Sequence, residues 1–87
     1  MAAAEVKYYA VVGAGRTPDS PSGLARRTFT PEGRLDESLR RDLTWGPSSE
    51  IYEWERGEEM GPDLVEITEA EAEAQVERFR EKWGRSA

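Results

Sequence analysis

The sequence predicts a small single-domain α+β protein: a sheet of about three antiparallel or mixed strands with two to three helices packed on one face. Three observations carry this. Residues 5–12, Glu-Val-Lys-Tyr-Tyr-Ala-Val-Val, are dominated by β-branched and aromatic side chains, which suit a pleated, partly buried strand. Residues 68–83 carry apolar side chains at helical spacing behind a capping signal. The chain has 87 residues, and a chain this short buries only about 60–65% of its unfolded surface, so one core and one domain are expected. That domain spans 1–87, with frayed ends at 1–4 and 85–87.

The elements follow in order. In 5–12, Val6, Tyr8, Ala10 and Val12 share one face and Lys7, Tyr9 and Val11 the other. Neither face is fully polar, which predicts a central strand covered on both sides. Residues 13–23 hold three Gly, two Pro and two Ser, the composition of a loop. Residues 23–30 read as a second strand, and Pro31-Glu32-Gly33 as a turn in which Pro sets φ and Gly supplies positive φ. Leu35, Leu39 and Leu43 recur every four residues, which predicts a short helix near 36–42 capped by Asp36. Leu43-Thr44-Trp45 reads as extended. A second helix opens at Pro47 or Ser48 and stops at Gly57, with Ile51 and Trp54 on one face. Residues 58–63 read as a linker and Leu64–Ile67 as a short strand. Thr68 and Glu71 then fit the capping box. Ala72, Val76, Phe79 and Trp83 fall on one face of the helix that follows, and Gly84 ends it.

Composition excludes several chemistries. The chain has no Cys and no His. Disulfides, thiolate metal sites, a Cys nucleophile and imidazole acid–base chemistry are therefore absent from it. It has no Asn, and its one side-chain amide is Gln75. No apolar run approaches the roughly 20 residues of a membrane span. No secretion or lipidation signal is expected at the ends, so the expected location is cytoplasmic. No cofactor or metal is expected. Net charge is -6, and it is uneven. Residues 16–42 hold six Arg against five acids, whereas residues 43–87 hold five bases against twelve acids.

Several motifs bear on function. Gly13-Ala14-Gly15 follows a strand but lacks the third Gly of a dinucleotide fingerprint, and Pro18 stands there. A strand-exit loop explains it. Asp63 and Glu66 resemble the acidic part of a nuclease metal site, but Thr68 stands where that site needs Lys. Arg16, Arg26, Arg27, Arg34, Arg40 and Arg41 form a basic set. Arg26 and Arg27 point to opposite faces of a strand and cannot share a patch. Pairing within the chain, with the acidic helices, is the simpler account, and the negative net charge disfavours direct nucleic-acid binding. Glu50, Glu53, Glu55, Glu58, Glu59, Glu69, Glu73 and Glu77 form a candidate acidic helical face. Eight aromatics, including Trp45, Trp54 and Trp83, are many for so small a core, and any left outside would make an interaction surface.

Three stretches carry a resemblance. They are Tyr8-Tyr9-Ala10-Val11-Val12, Ser22-Gly23-Leu24-Ala25-Arg26-Arg27, and a C-terminal half marked by Trp45-Gly46-Pro47-Ser48-Ser49, Tyr52-Glu53-Trp54-Glu55-Arg56-Gly57 and Leu64-Val65-Glu66-Ile67-Thr68-Glu69-Ala70-Glu71-Ala72. This pattern resembles small uncharacterised proteins of actinobacteria over most of residues 8–83. The resemblance implies a compact domain of a high-GC bacterial cytoplasm and assigns no ligand or reaction.

The functional expectation is a non-catalytic interaction or adaptor domain that meets a protein partner or a second copy of itself. Tyr52, Trp54, Trp45, Glu50, Glu53, Glu69 and Glu73 are the candidate interaction residues. The alternative is an inhibitor or antitoxin-like protein whose carboxylates mimic nucleic acid. A third reading is a carboxylate enzyme, which would need a deep cleft of roughly 300 Å³ or more.

Overall fold

A computed structural model describes residues 5–13, 15–57 and 63–84. The elements are β1 (Glu5–Val11), β2 (Gly23–Thr30), β3 (Gly33–Leu39), β4 (Trp45–Pro47), α1 (Glu50–Arg56), β5 (Leu64–Ile67) and α2 (Glu69–Gly84). The strands form one sheet in the order β4-β3-β2-β1-β5, each neighbouring pair antiparallel. The α+β class stands, and the strand count rises from about three to five. The expected frayed ends and residues 58–62 of the expected 58–63 linker, with Glu58 and Glu59, lie outside the described residues.

β1 is central, as its two-sided pattern predicts. It pairs with β2 on one side and β5 on the other. Ala10 packs in one core cluster with Leu24, Leu39, Ile67, Ala72 and Phe79. Tyr9 and Val11 pack in a second cluster with Ala25, Ile51 and Leu64. Since alternate strand residues face opposite ways, α2 covers one face of the sheet and α1 the other. This corrects the expectation of helices on one face. Its cause is local: α1 leaves the edge strand β4 on one side, and α2 leaves β5 on the other.

The helix expected near 36–42 is the strand β3, joined to β2 through Pro31-Glu32, with Thr30 paired to Gly33. Gly33 has φ 140°, which a side chain rarely tolerates. A spacing of four fits a strand as well as a helix, because it is twice two. Leu35 and Leu39 share a strand face with Glu37 between them, opposite Arg26. β3 then turns through Arg41-Asp42-Leu43 into β4. Leu43 carries φ 67°, the left-handed residue that closes three-residue hairpin loops. Asp42 accepts hydrogen bonds from the Thr44 N–H and hydroxyl at 3.0 and 2.6 Å, and they hold its carboxyl below its ordinary range. α1 begins later than expected, at Glu50, because Gly46 and Pro47 are spent in β4. Gly57 ends it in the left-handed region, as predicted.

β5 and α2 match expectation. The Glu71 N–H donates to the Thr68 hydroxyl at 3.1 Å, and the Thr68 N–H donates to the Glu71 carboxylate at 3.0 Å, a complete capping box. Ala72 and Phe79 are buried, with Val76 and Trp83 packed beside them. Both sheet edges are short, and β4 contains Pro47, which discourages edge-to-edge pairing. No helix among the described residues is long and apolar enough to cross a membrane.

Candidate interaction surface on α1

α1 has only seven residues, too few to persist on helix propensity alone. Tertiary contacts hold it. Ile51 is 1% exposed and plugs the small core of that face. Arg27 supplies the second anchor. Its side chain is 4% exposed. Nε and Nη2 donate to the two Asp36 carboxylate oxygens at 2.7 and 2.9 Å. Nη1 and Nη2 donate to Glu55 of α1 at 2.8 and 3.0 Å. These paired bonds match the planar guanidinium fork. They raise the Arg27 pKa further above its usual value and hold the Asp36 and Glu55 carboxyls below theirs. One cation thus ties β2, β3 and α1 together. At the N-terminus of α1 the Ser38 hydroxyl donates to the Glu50 carboxylate, and the Ser49 hydroxyl donates to Glu53 at 2.8 Å.

With α1 fixed, Tyr52 is presented rigidly on its outer side, whereas Trp54 lies at the flank that Ile51 turns toward the sheet. Tyr52 is 47% exposed and Trp54 36%. The Trp54 ring lies 5.6 Å from that of buried Tyr9. Burial of Tyr9, helped by the charge of Glu66, pushes its phenol pKa up. The Arg56 guanidinium sits 5.6 Å over the Tyr52 ring.

The residues proposed from sequence do not form one site. Tyr52, Trp54, Glu50 and Glu53 gather on α1. Trp45 lies on the other side of the sheet, half-buried, 6.2 Å from Tyr8 and with Arg26 at 4.4 Å over its ring. Glu69 and Glu73 are exposed on α2, also on that other side. The acidic helical face is therefore divided between the two sides of the sheet. Glu55 is bound to Arg27. Pairing within the chain does occupy Arg26 and Arg27, with Glu37 and Asp36 of β3 as well as with the helix residue Glu55. Sequence reading missed Asp36 as a partner because it placed 36–42 in a helix. Reading Pro31-Glu32-Gly33 as a hairpin turn sets Arg27 opposite Asp36.

Carboxylates do line one cleft of about 400 Å³, where the ends of β1 and β5 meet the start of α2; its walls include Tyr8, Ile67, Glu5, Glu66, Glu69 and Glu71. Glu71 is committed to the Thr68 N–H, which holds its carboxyl below its ordinary range. A general acid needs the opposite shift. Among the described residues no three Asp or Glu side chains converge as a metal site, and Asp63 and Glu66 are both exposed. Comparison with protein-family models, curated proteins and solved structures returned no significant match.

Proposed function

We propose that this chain is a non-catalytic protein-interaction domain that docks a partner through the outer side of α1. The observation that carries the reading is a large aromatic, Tyr52, left 47% exposed on the outer side of a helix anchored from beneath by Ile51 and Arg27, with the partly exposed ring of Trp54, packed on Tyr9, at the opposite flank of the helix. Exposed Tyr and Trp on a rigid support are the residue types that dominate binding hot spots. Glu50 and Glu53 stand in the first turn of the same helix, so the fitting partner is a protein segment with apolar side chains flanked by basic ones. The division of carboxylates between two sides of the sheet favours this over mimicry of a nucleic-acid backbone, which needs charge along one continuous face.

The test is capture from a native lysate at low and high salt, beside sedimentation of the purified chain. A partner retained at high salt is expected. Tyr52→Ser should weaken its binding about tenfold or more while the urea midpoint stays unchanged. Normal binding by Tyr52→Ser and Trp54→Ser variants would refute this surface. Loss of all binding at high salt would favour the acidic mimic, and a concentration-dependent dimer broken by Tyr52→Ser would make the partner a second copy.

A further inference from the structure

The cleft at the start of α2 contains an open strand edge. β1 begins at Glu5, but its pairing with β5 stops at Tyr8 opposite Ile67, where the chain leaves through Thr68 for α2. Glu5, Val6 and Lys7 therefore have β2 on one edge and no strand on the other. Successive strand residues direct their N–H and C=O to opposite edges. The Val12 N–H donates to the Asp63 carbonyl at 2.9 Å, on the β5 side, and the Val11 carbonyl accepts from the Ser22 N–H at 2.9 Å, on the β2 side. Even-numbered residues of β1 thus face β5, and Val6 is the one whose N–H and C=O open onto the space beyond the end of that strand. This space is the cleft of about 400 Å³, and Val6 stands in its wall.

A free backbone donor and acceptor on a strand edge are a template for another extended chain. A residue laid opposite Val6 continues the pairs Ala10–Val65 and Tyr8–Ile67 and exchanges two backbone bonds with Val6. Its side chain falls on the face of Val6, which is half-buried and apolar. The side chains before and after it fall on the other face, one opposite Glu5 and one opposite Lys7. Four carboxylates, Glu5, Glu66, Glu69 and Glu71, and one ammonium, Lys7, line the cleft. Glu71 is taken by the capping box. Among the described residues the carboxylates of Glu5, Glu66 and Glu69 enter no hydrogen bond or ion pair. Their charge selects a basic segment and repels a second copy of a chain of net charge -6.

We propose that a basic, extended segment of a protein partner adds to the free edge of β1 at Val6 as a short strand, with an apolar residue opposite Val6 and a Lys or Arg opposite Glu5. The probe is the capped peptide acetyl-Thr-Val-Lys-Val-Lys-amide, which sets the neutral Thr opposite Lys7, titrated to about 10 mM into the ¹⁵N-labelled full chain. The Val6 amide proton is expected to move downfield saturably as it gains a hydrogen bond. The same peptide with Glu in place of both Lys, and the same peptide N-methylated at both Val, should each bind about fivefold or more weakly. Glu5→Gln/Glu69→Gln should weaken the basic peptide about threefold or more. Tyr52→Ser should leave its binding unchanged, so this edge stands or falls apart from the α1 surface. No shift at Val6 would overturn the site. Equal binding of the N-methylated peptide would overturn the backbone pairing, and equal binding of the acidic peptide would overturn the choice of a basic partner. A downfield shift of the Val6 amide with protein concentration alone would overturn the partner in favour of a second copy.

Discussion

Arg26 and Arg27 are neighbours in the chain and serve opposite faces of the sheet by different means. Arg26 has 28% of its side chain exposed, pairs with Glu37 at 2.9 Å and lies over Trp45 at the margin of the α2 face. That face is held by apolar contact: Leu24, Leu39 and Ile67 against Ala72 and Phe79, with Trp83 stacked on Phe79 at 4.4 Å. Arg27 is buried, and the α1 face depends on it. There the apolar cluster is smaller, and a charged fork does what a longer helix does by hydrophobic area. Strand alternation alone makes this difference between adjacent residues of one type. Sixteen residues of α2, with a capping box, can spread their attachment over four turns. Seven residues of α1 concentrate theirs on Ile51 and Glu55.

The comparison breaks most sharply at Phe79. Phe79→Ala should cost about 3–5 kcal/mol, since it empties a buried ring site and unstacks Trp83. The whole domain should unfold at lower urea, with both faces lost together.

On the α1 face, Arg27→Met should cost about 3 kcal/mol, because Asp36 is left without its cation in a half-buried site. Adding Asp36→Leu should recover most of that loss, since apolar residues often replace a buried pair at no net cost. Failure to recover would mean that the fork also sets the placement of α1, and hydrogen exchange of the α1 amides reads this directly. Thr68→Ala is smaller, about 1 kcal/mol, from losing the bond to the Glu71 N–H. It should loosen the first turn of α2 without disturbing α1.

The two faces also differ in how far they could be read from sequence. The α2 face was legible because its signals are local: a capping box and apolar spacings of four, three and four within one segment. The α1 face was not, because its fork joins residues 27, 36 and 55 across three elements. The leucine spacing at 35, 39 and 43 fits both periods, and only the hairpin at Pro31-Glu32 decides between them. Tyr52 and Trp54 could be named as aromatics in excess of a small core. That Trp45 would pack against Tyr8 and Arg26 depended on the pairing of β3 with β4, which no local pattern announces. Gln75 was visible only as the sole amide, and its grip on the 17–20 turn is a contact between residues more than fifty apart.

The mildest probe is pH. In the folded chain Arg27 holds the Asp36 and Glu55 carboxyls below their ordinary values, chiefly through its hydrogen bonds. Their contribution is complete above the unfolded carboxyl pKa of roughly 4 and is lost as pH falls through the lower folded values. Asp36 should carry most of it, since 42% of the Glu55 side chain faces solvent and its pairing is screened. Stability measured by urea unfolding should therefore be flat from about pH 7 to 5 and decline below that. In Arg27→Met/Asp36→Leu the decline should be shallower, because neither shifted carboxyl remains shifted. A decline of equal steepness in that variant would move the acid sensitivity away from the fork and onto the other lowered carboxyls, Glu71 of the capping box and Asp42 of the β3–β4 turn. Glu71→Gln separates these two, because it removes the carboxyl held by the Thr68 N–H and leaves Asp42 on Thr44.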